Sequence, residues 1–327
     1  MKALWRILTA RMIRRRQAVR ATTAKTLLRT GTTTAVLVGT GGPMPSQRAQ
    51  SCTALFANGQ FLLFDAGDGA ARRIEALDLP LGQLRAVFLT HYHADHFADL
   101  GEIIDRSWIL GRRHRLPIYG PEGVEQIVNG FRAAYEREYS YRTAHHGPAV
   151  MPPEWSAAQA VAFDYDKDGE ATQVYAADGV TVSAFAAQHP PVEPNVGYRI
   201  EHAGKVIILS GDTLPTAGLL EQSRGADLLI ADVMAMDAVR QIQAANEAGR
   251  NDATAQIMRD IRDYHISAEA LGTLAALAQV KCLALTHLAP PVDQTLLVNG
   301  LFKRPIAAHY SGKIVVGRDG TRIVVAR

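Results

Sequence analysis

The chain has 327 residues, 47% hydrophobic and 20% charged, enough apolar side chain for a sizeable core and too much for a disordered protein. Its formal net charge of +3 is unevenly spread: residues 1–30 carry nine of the 35 Lys and Arg and no acid, which leaves 26 bases against 32 acids in the rest. A body near −6 is no generic polyanion binder, so the basic character belongs to the N-terminal segment.

That segment, residues 1–32, places Met1, Leu4, Trp5, Leu8 and Met12 on one face of a helix with arginines around the remainder. The expectation is a basic, frayed, solvated tail; contact with an anionic membrane surface is the alternative. No apolar h-region or small-residue cleavage site follows the arginines, so a secretory signal is not expected, and Arg14-Arg15-Arg16 lacks the apolar stretch of a twin-arginine signal. No apolar run is long enough to cross a bilayer. The chain is read as cytoplasmic, with the tail as its one route to a membrane periphery. Cys52 and Cys282 both lie in strand-like runs and are expected as buried free thiols.

From residue 33 the texture is short strands and turns. "TTTAVLVGTGG" reads as a strand ending in glycines, and "CTALFANGQFLLFDAGDG" as two strands joined at Asn58-Gly59. A helix is predicted over 70–77, then the strand "RAVFLT", the strand "LPIYG" and a helix over 121–137. "VTVSAFAAQHP" is a strand, "VGYRIEHAGKVIILSGDT" a hairpin turning at Ala203-Gly204, and "ADLLIADV" and "VKCLALTH" are buried strands beside helical stretches. "KIVVGRDGTRIVV" closes the chain as a predicted hairpin. With no repeat and no linker after residue 32, residues 33–327 read as one α/β domain behind the tail.

The chemistry is concentrated in "FLTHYHADHFADLG", where His91, His93, Asp95 and His96 follow an apolar run directly. In an extended segment His91, His93 and Asp95 project to one side and His96 to the other, so one loop could serve two neighbouring metal ions. Imidazole nitrogen and carboxylate oxygen are ligands that suit zinc.

This H-x-H-x-D-H motif resembles that of the metallo-β-lactamase superfamily. His189 in "AQHP", Asp212 in "SGDT" and His287 in "LTHLAP" stand where that family completes its site. The resemblance implies a four-layer αβ/βα sandwich with two zinc ions per chain, Mn or Fe being the alternatives. One ion would take His91, His93 and His189, the other Asp95, His96 and His287, with Asp212 bridging. It also implies that Asp65 of "FDAGDG" orients a site histidine from behind, and that the protein is a homodimer. Within the superfamily, "GTGGPMPSQR", "IYGPEGVEQIV", "VGYRI" and "HISAEALGTLA" resemble the ribonuclease Z and arylsulfatase-like branch. There His265 would donate the leaving-group proton. Read alone, His265 is an ordinary polar residue opening a helix.

The implied function is a dinuclear-zinc hydrolase that cleaves phosphodiester or sulfate esters with metal-activated hydroxide, using His265 and Asp95 as catalytic groups. The main expectation is a small ester substrate. A tRNA 3′-end endonuclease is the first alternative, and it makes RNA a partner that is allowed but not favoured. Only residues 200–209 separate "GYR" from "SGDT", where tRNA-maturing members often carry an RNA-binding arm, and "LTHLAPP" leans toward the arylsulfatase type. β-Lactam or lactone hydrolysis and a non-catalytic metal protein are further alternatives on the same scaffold.

Other features are set aside. "DYDKDG" begins like a calcium loop with Asp164, Asp166, Asp168 and Gly169, but its twelfth position is Tyr175, where a bidentate glutamate is required. "GTGGP" lacks a phosphate-loop lysine and is read as a turn bordering the site. His114, His145, His146, His202 and His309 have no ligand-like spacing, although His145-His146 is placed as a possible cleft lining. Ser210 lacks a nucleophile-elbow motif.

Overall fold

The computed structural model describes residues 2–168, 170–291 and 299–326. Helix α1 (Lys2–Leu27) precedes strands β1 (Thr33–Gly39), β2 (Cys52–Ala57) and β3 (Gln60–Phe64). Next come α2 (Ala70–Ala76), β4 (Leu84–Phe88), α3 (Ala94–Phe97), α4 (Leu100–Ile109), β5 (Leu116–Gly120), α5 (Val124–His146) and β6 (Ala158–Ala162). The second half runs β7 (Thr172–Ala177), β8 (Val180–Ala186), β9 (Val196–His202), β10 (Lys205–Leu209), α6 (Ala217–Gln222) and β11 (Leu228–Met234). It ends with α7 (Met236–Ala248), α8 (Asp252–Asp260), α9 (Ala268–Leu277), β12 (Cys282–Ala289), α10 (Asn299–Ala307), β13 (Lys313–Val316) and β14 (Thr321–Ala326).

The strands form two seven-stranded sheets, ordered β14-β1-β2-β3-β4-β5-β6 and β13-β12-β11-β10-β9-β8-β7. Strand side chains alternate between faces, and each sheet is covered on both. In the first sheet Val36, Phe56, Leu63 and Val87 pack against Ile74 of α2, Ile103 and Trp108 of α4 and Val124 of α5. Their neighbours Leu37, Leu55, Phe64 and Phe88 point the other way and meet Val182, Tyr198, Ile207 and Ile230 of the second sheet. The far face of that sheet packs Ile208, Leu229 and Leu283 on Leu219 of α6, Leu271 of α9 and Phe302 of α10. The result is the expected helix–sheet–sheet–helix sandwich. Double coverage explains why β1, β2 and β3 read as unbroken apolar runs.

Both expected two-residue hairpins form. Asn58 and Gly59 have φ of 46° and 82°, and Ala203 and Gly204 have 52° and 71°, the left-handed pair that matches strand twist. A third, Asp178-Gly179, joins β7 to β8; its Asp-Gly signal went unread, as did β6 and β7. Cys52 and Cys282 are free and buried, as expected.

Four expectations are corrected. "KIVVGRDGTRIVV" is no hairpin: β13 joins the second sheet parallel to β12, while β14 crosses to the first and pairs with β1. Asp319 holds that crossing, its buried carboxylate accepting from Thr40 Oγ1 (2.7 Å) and Ala49 N (2.8 Å) and facing Arg73 (3.0 Å). The N-terminal segment is not frayed but helical. Leu27 is buried with the core of the first sheet, and Arg20 Nε pairs with Asp78 at 3.0 Å. The helix predicted over 121–137 runs on to His146, and His145 and His146 sit exposed at its C-terminal end, with no cleft role. Finally, the histidine motif is not extended throughout, as described next.

Candidate metal centre

The seven candidate ligands come from the carboxyl ends of strands in both sheets, or from the loops leaving them. β4 ends three residues before His91, and His93 has extended backbone (φ −71°, ψ 144°) before the chain turns into α3. Asp95 and His96 therefore sit on one helical turn, both buried, instead of alternating along a strand. The 100° helical step brings them together where the extended reading drove them apart. His189 follows β8, Asp212 follows β10, and His287 lies within β12.

The structure brings all seven together. Ligand atoms of His91, His93 and His189 lie within 4.8 Å of one another, as do those of Asp95, His96 and His287. Asp212 reaches both clusters: its Oδ2 is 3.3 Å from His96 Nε2 and 3.2 Å from His287 Nε2, and it also lies within 4.8 Å of ligand atoms of His91 and His189. Asp95 Oδ2 meets His287 Nε2 at 3.1 Å. His93 alone is exposed, so the site opens on its side. Among the described residues His96 Nε2 is buried without a hydrogen bond although two carboxylates lie nearby. An atom aimed between carboxylates rather than at one suits a cation seated among them, so the donor set fits a metal.

The surrounding chain fixes these side chains from behind. Asp65 accepts from Thr90 N (2.9 Å) and pairs with His96 Nδ1 at 2.8 Å. It does so with φ of 58°, and His287 stands at 44°, left-handed conformations that concentrate where a site demands them. His189 Nδ1 faces the Tyr264 carbonyl at 2.8 Å. Gly42 of "GTGGP" packs on the His287 ring, where a Cβ would come within 2.8 Å, so that loop does border the site. Gly67 likewise lies against the Asp95 carbonyl oxygen, which a Cβ at that position would approach to 2.0 Å.

His265 lies at the same rim, a ring nitrogen within 4.8 Å of ligand atoms of His189 and Asp212. Its Nδ1 contacts Asp232 Oδ2 at 3.0 Å. Asp232 was missed from the sequence because it sits inside the apolar run of β11. An acid near the end of a fully buried strand was the available signal. Ser210 is no nucleophile: its hydroxyl donates to the Gly211 carbonyl (2.6 Å) and lies 3.5 Å from Asp232 Oδ1.

Charge divides the histidines into two sets. Burial holds His91 well below the ordinary imidazole range and His189 down to about 4, and it lowers His93 too. Burial also acts on His96 and His287, but carboxylates overrule it. Asp212 and Asp65 raise His96 well above normal, and Asp212 and Asp95 lift His287 to about 9. In return, and against its own burial, Asp212 is held well below the usual carboxylate range by His287 and His96.

The residues set aside stay outside. His202 is buried against Thr33 Oγ1 at 2.6 Å, His309 is exposed, and His114 joins no ligand cluster among the described residues. Asp164, Asp166 and Asp168 form no metal group among the described residues; Gly169 of that loop lies outside them.

Residues 61–288 match the family model described as the β-lactamase superfamily domain. The chain is 34% identical over 298 residues to a ribonuclease Z of Mycobacterium bovis, covering 88% of this chain and 97% of that one. It is 35% identical over 293 residues to a ribonuclease Z of Mycolicibacterium gilvum, covering 88% and 95%. Among solved structures it resembles the metallo-β-lactamase fold protein YhfI of Bacillus subtilis, with TM-score 0.63, 20% identity and coverage of 90% and 99%. It also resembles the short form of human tRNase Z, with TM-score 0.61, 21% identity and coverage of 89% and 99%. These two likenesses bear on the fold alone. A shared sandwich, a clustered His/Asp site and end-to-end likeness at this identity have one reading: the chain belongs to the metallo-β-lactamase superfamily of hydrolases, in the branch that holds ribonuclease Z.

Proposed function

We propose that the protein is a dinuclear-zinc phosphodiesterase of the ribonuclease Z kind, removing 3′ extensions from tRNA precursors. The observation that carries this is the likeness to ribonuclease Z along nearly the whole of both chains. It shifts weight from the small-ester expectation to its tRNA alternative. The missing arm was the main argument against tRNA, and β9 does join β10 through Ala203-Gly204 alone. However, an alignment of 298 positions that takes 88% of this chain and 97% of the relative leaves the relative no room for a long insertion that this chain lacks. Its name therefore does not depend on such an arm, and the short turn no longer counts against RNA.

In this reading His91, His93 and His189 would hold one ion and Asp95, His96 and His287 the other, with Asp212 available to either. Zinc ions there would supply a nucleophile from water at neutral pH and offset charge building on the phosphoryl oxygens. The protein's own part is positional. Asp65 sets the His96 ring, and the Tyr264 carbonyl sets His189. Asp232 engages His265 Nδ1, which turns the other ring nitrogen to the rim, where it can carry a proton to the departing 3′ oxygen.

The test compares kcat/KM for a 3′-extended tRNA and for an aryl phosphodiester at matched salt, on protein of measured zinc content. Site-specific cleavage of the tRNA is the expected result. Rapid aryl phosphodiester or aryl sulfate turnover with an untouched tRNA returns the assignment to a small-ester hydrolase. No described helix is long and apolar enough to cross a membrane; α1, with Trp5 and Met12 exposed beside its arginines, is assigned here to an anionic lipid surface.

A further inference from the structure

Beside the metal centre lies a cavity of about 470 Å³ that shares His189 with it. One wall is the β8–β9 connection, which leaves the sheet at Ala186, presents His189 and returns at Val196. Pro190, Pro191 and Pro194 restrict that loop, so its shape does not depend on a ligand to set it. The opposite wall is the segment after β6, where the half-buried Tyr165 lines the cavity across from Asn195.

The polar groups inside are uncharged and under-used. Asn195 Nδ2 donates to the Asp212 carbonyl at 2.9 Å, joining this wall to a candidate metal ligand, while its Oδ1 is buried with no partner among the described residues. Gln188 uses its main-chain N–H on Thr213 Oγ1 (3.0 Å) and leaves its side-chain amide unbonded among the described residues. Charge is confined to the mouth, where Lys167 pairs with Glu193 and Asp168 stands alongside. Two carboxylates against one ammonium make that mouth unfavourable for a bare phosphate. An aromatic wall and an unengaged side-chain amide instead suit a flat, neutral group rich in hydrogen-bonding edges, and the volume falls in the ordinary range for small-molecule sites.

We propose that this cavity holds the nucleoside on one side of the scissile phosphodiester, with Tyr165 as its stacking wall and Gln188 reading its edge. The inference rests on the phosphodiesterase reading and names which part of that substrate the protein grips. A nucleoside seated beside His189 has its phosphate carried to the metal ligands, so the cavity would set which bond is presented.

The test separates the two claims by using binding for one and turnover for the other. In saturation-transfer NMR with the zinc-loaded protein, a free ribonucleoside should give signals that vanish in Tyr165→Ala and Gln188→Ala and persist in Tyr165→Phe. No signal with the wild type, or signals unchanged in both alanine variants, overturns the cavity assignment whatever the enzyme hydrolyses. Turnover then compares a nucleoside 5′-(4-nitrophenyl) phosphate with methyl 4-nitrophenyl phosphate, which has the same leaving group and no nucleoside. Both alanine variants should raise KM for the first about tenfold, the scale of one stacked base, and leave kcat/KM for the second within about twofold. Equal losses on both substrates would mean damage to the metal centre and also overturn the assignment. A wild type that binds the nucleoside but hydrolyses neither ester nor tRNA retains the cavity and sinks the phosphodiesterase reading.

Discussion

His265 and Asp232 form a buried pair at 3.0 Å, and their value as a proton-delivering unit depends on the leaving group. A ribose oxygen leaves poorly and needs its proton, whereas a nitrophenolate hardly does. His265→Ala should therefore lower kcat on the tRNA by about 10² or more and on a 4-nitrophenyl ester by under about tenfold. Asp232→Asn should follow the same pattern with smaller losses, because the ring stays but its orientation is held by a neutral partner. Equal losses on both substrates would show that the pair acts only through the fold. The split among the histidines has its own consequence. His287, raised to about 9, and His96, raised as well, carry protons at neutral pH in metal-free protein; His189, lowered to about 4, does not. A metal ion competes with those protons, so zinc uptake at pH 7 should release protons, and affinity should climb as pH rises toward 9. Calorimetry in two buffers of different ionisation enthalpy reads this directly; uptake with no proton release would contradict the charge assignment. In Asp212→Asn both raised histidines lose the carboxylate that lifts them, so proton release should shrink along with affinity.

At the scale of elements, the crossing from β13 to β14 ties the last strand of the fold to the active-site edge. Asp319 there serves Thr40, Ala49 and Arg73, and Thr40 lies two residues before Gly42, which packs on His287. Asp319→Ala leaves buried N–H and O–H donors unmatched and should cost about 3 kcal/mol of stability. It should also weaken zinc binding, as the loop around Gly42 loses its anchor. Denaturant unfolding together with metal content measures both, and a stable, fully loaded variant would show that the loop holds itself. The same crossing shows where the sequence was legible and where it was not. Asn58-Gly59 and Ala203-Gly204 specify their hairpins locally, through residues that accept positive φ. Asp319-Gly320 carries a similar local signal, yet its strands part because β12 and β1 offer edges in different sheets, information that lies far away in the chain. The clustering of the candidate metal ligands was legible because their residue types and order are the chemistry. The helical turn at Ala94–Phe97 was hidden in a motif too short to show a period, and Asp232 was hidden in the apolar texture of its strand.

For the whole molecule, the question the fold poses is what α1 is for, since the sandwich is complete without its first five turns. Its final turns are built in through Leu27 and Arg20. Ahead of them Trp5 and Met12 are 70% and 72% exposed, and Leu8 and Val19 lie uncovered on the same side. Arg6, Arg11, Arg14 and Arg15 are exposed and make no ion pair among the described residues. RNA would satisfy the arginines but offer nothing to the apolar side chains, whereas an anionic bilayer takes both, with headgroups for the guanidiniums and acyl chains for Trp5, Leu8 and Met12. A protein lacking residues 1–19 keeps the docked turns, so it should retain its thermal midpoint, its zinc and its turnover of an aryl phosphodiester. Its binding to phosphatidylserine vesicles should fall at least about tenfold, and binding by the full chain should weaken as salt screens the arginines. Trp5 gives a second readout, since its fluorescence should shift to the blue when the full chain meets those vesicles and stay fixed with neutral ones. If the truncated protein instead keeps its vesicle binding and loses affinity for tRNA, the helix belongs to the nucleic acid and the membrane assignment is wrong.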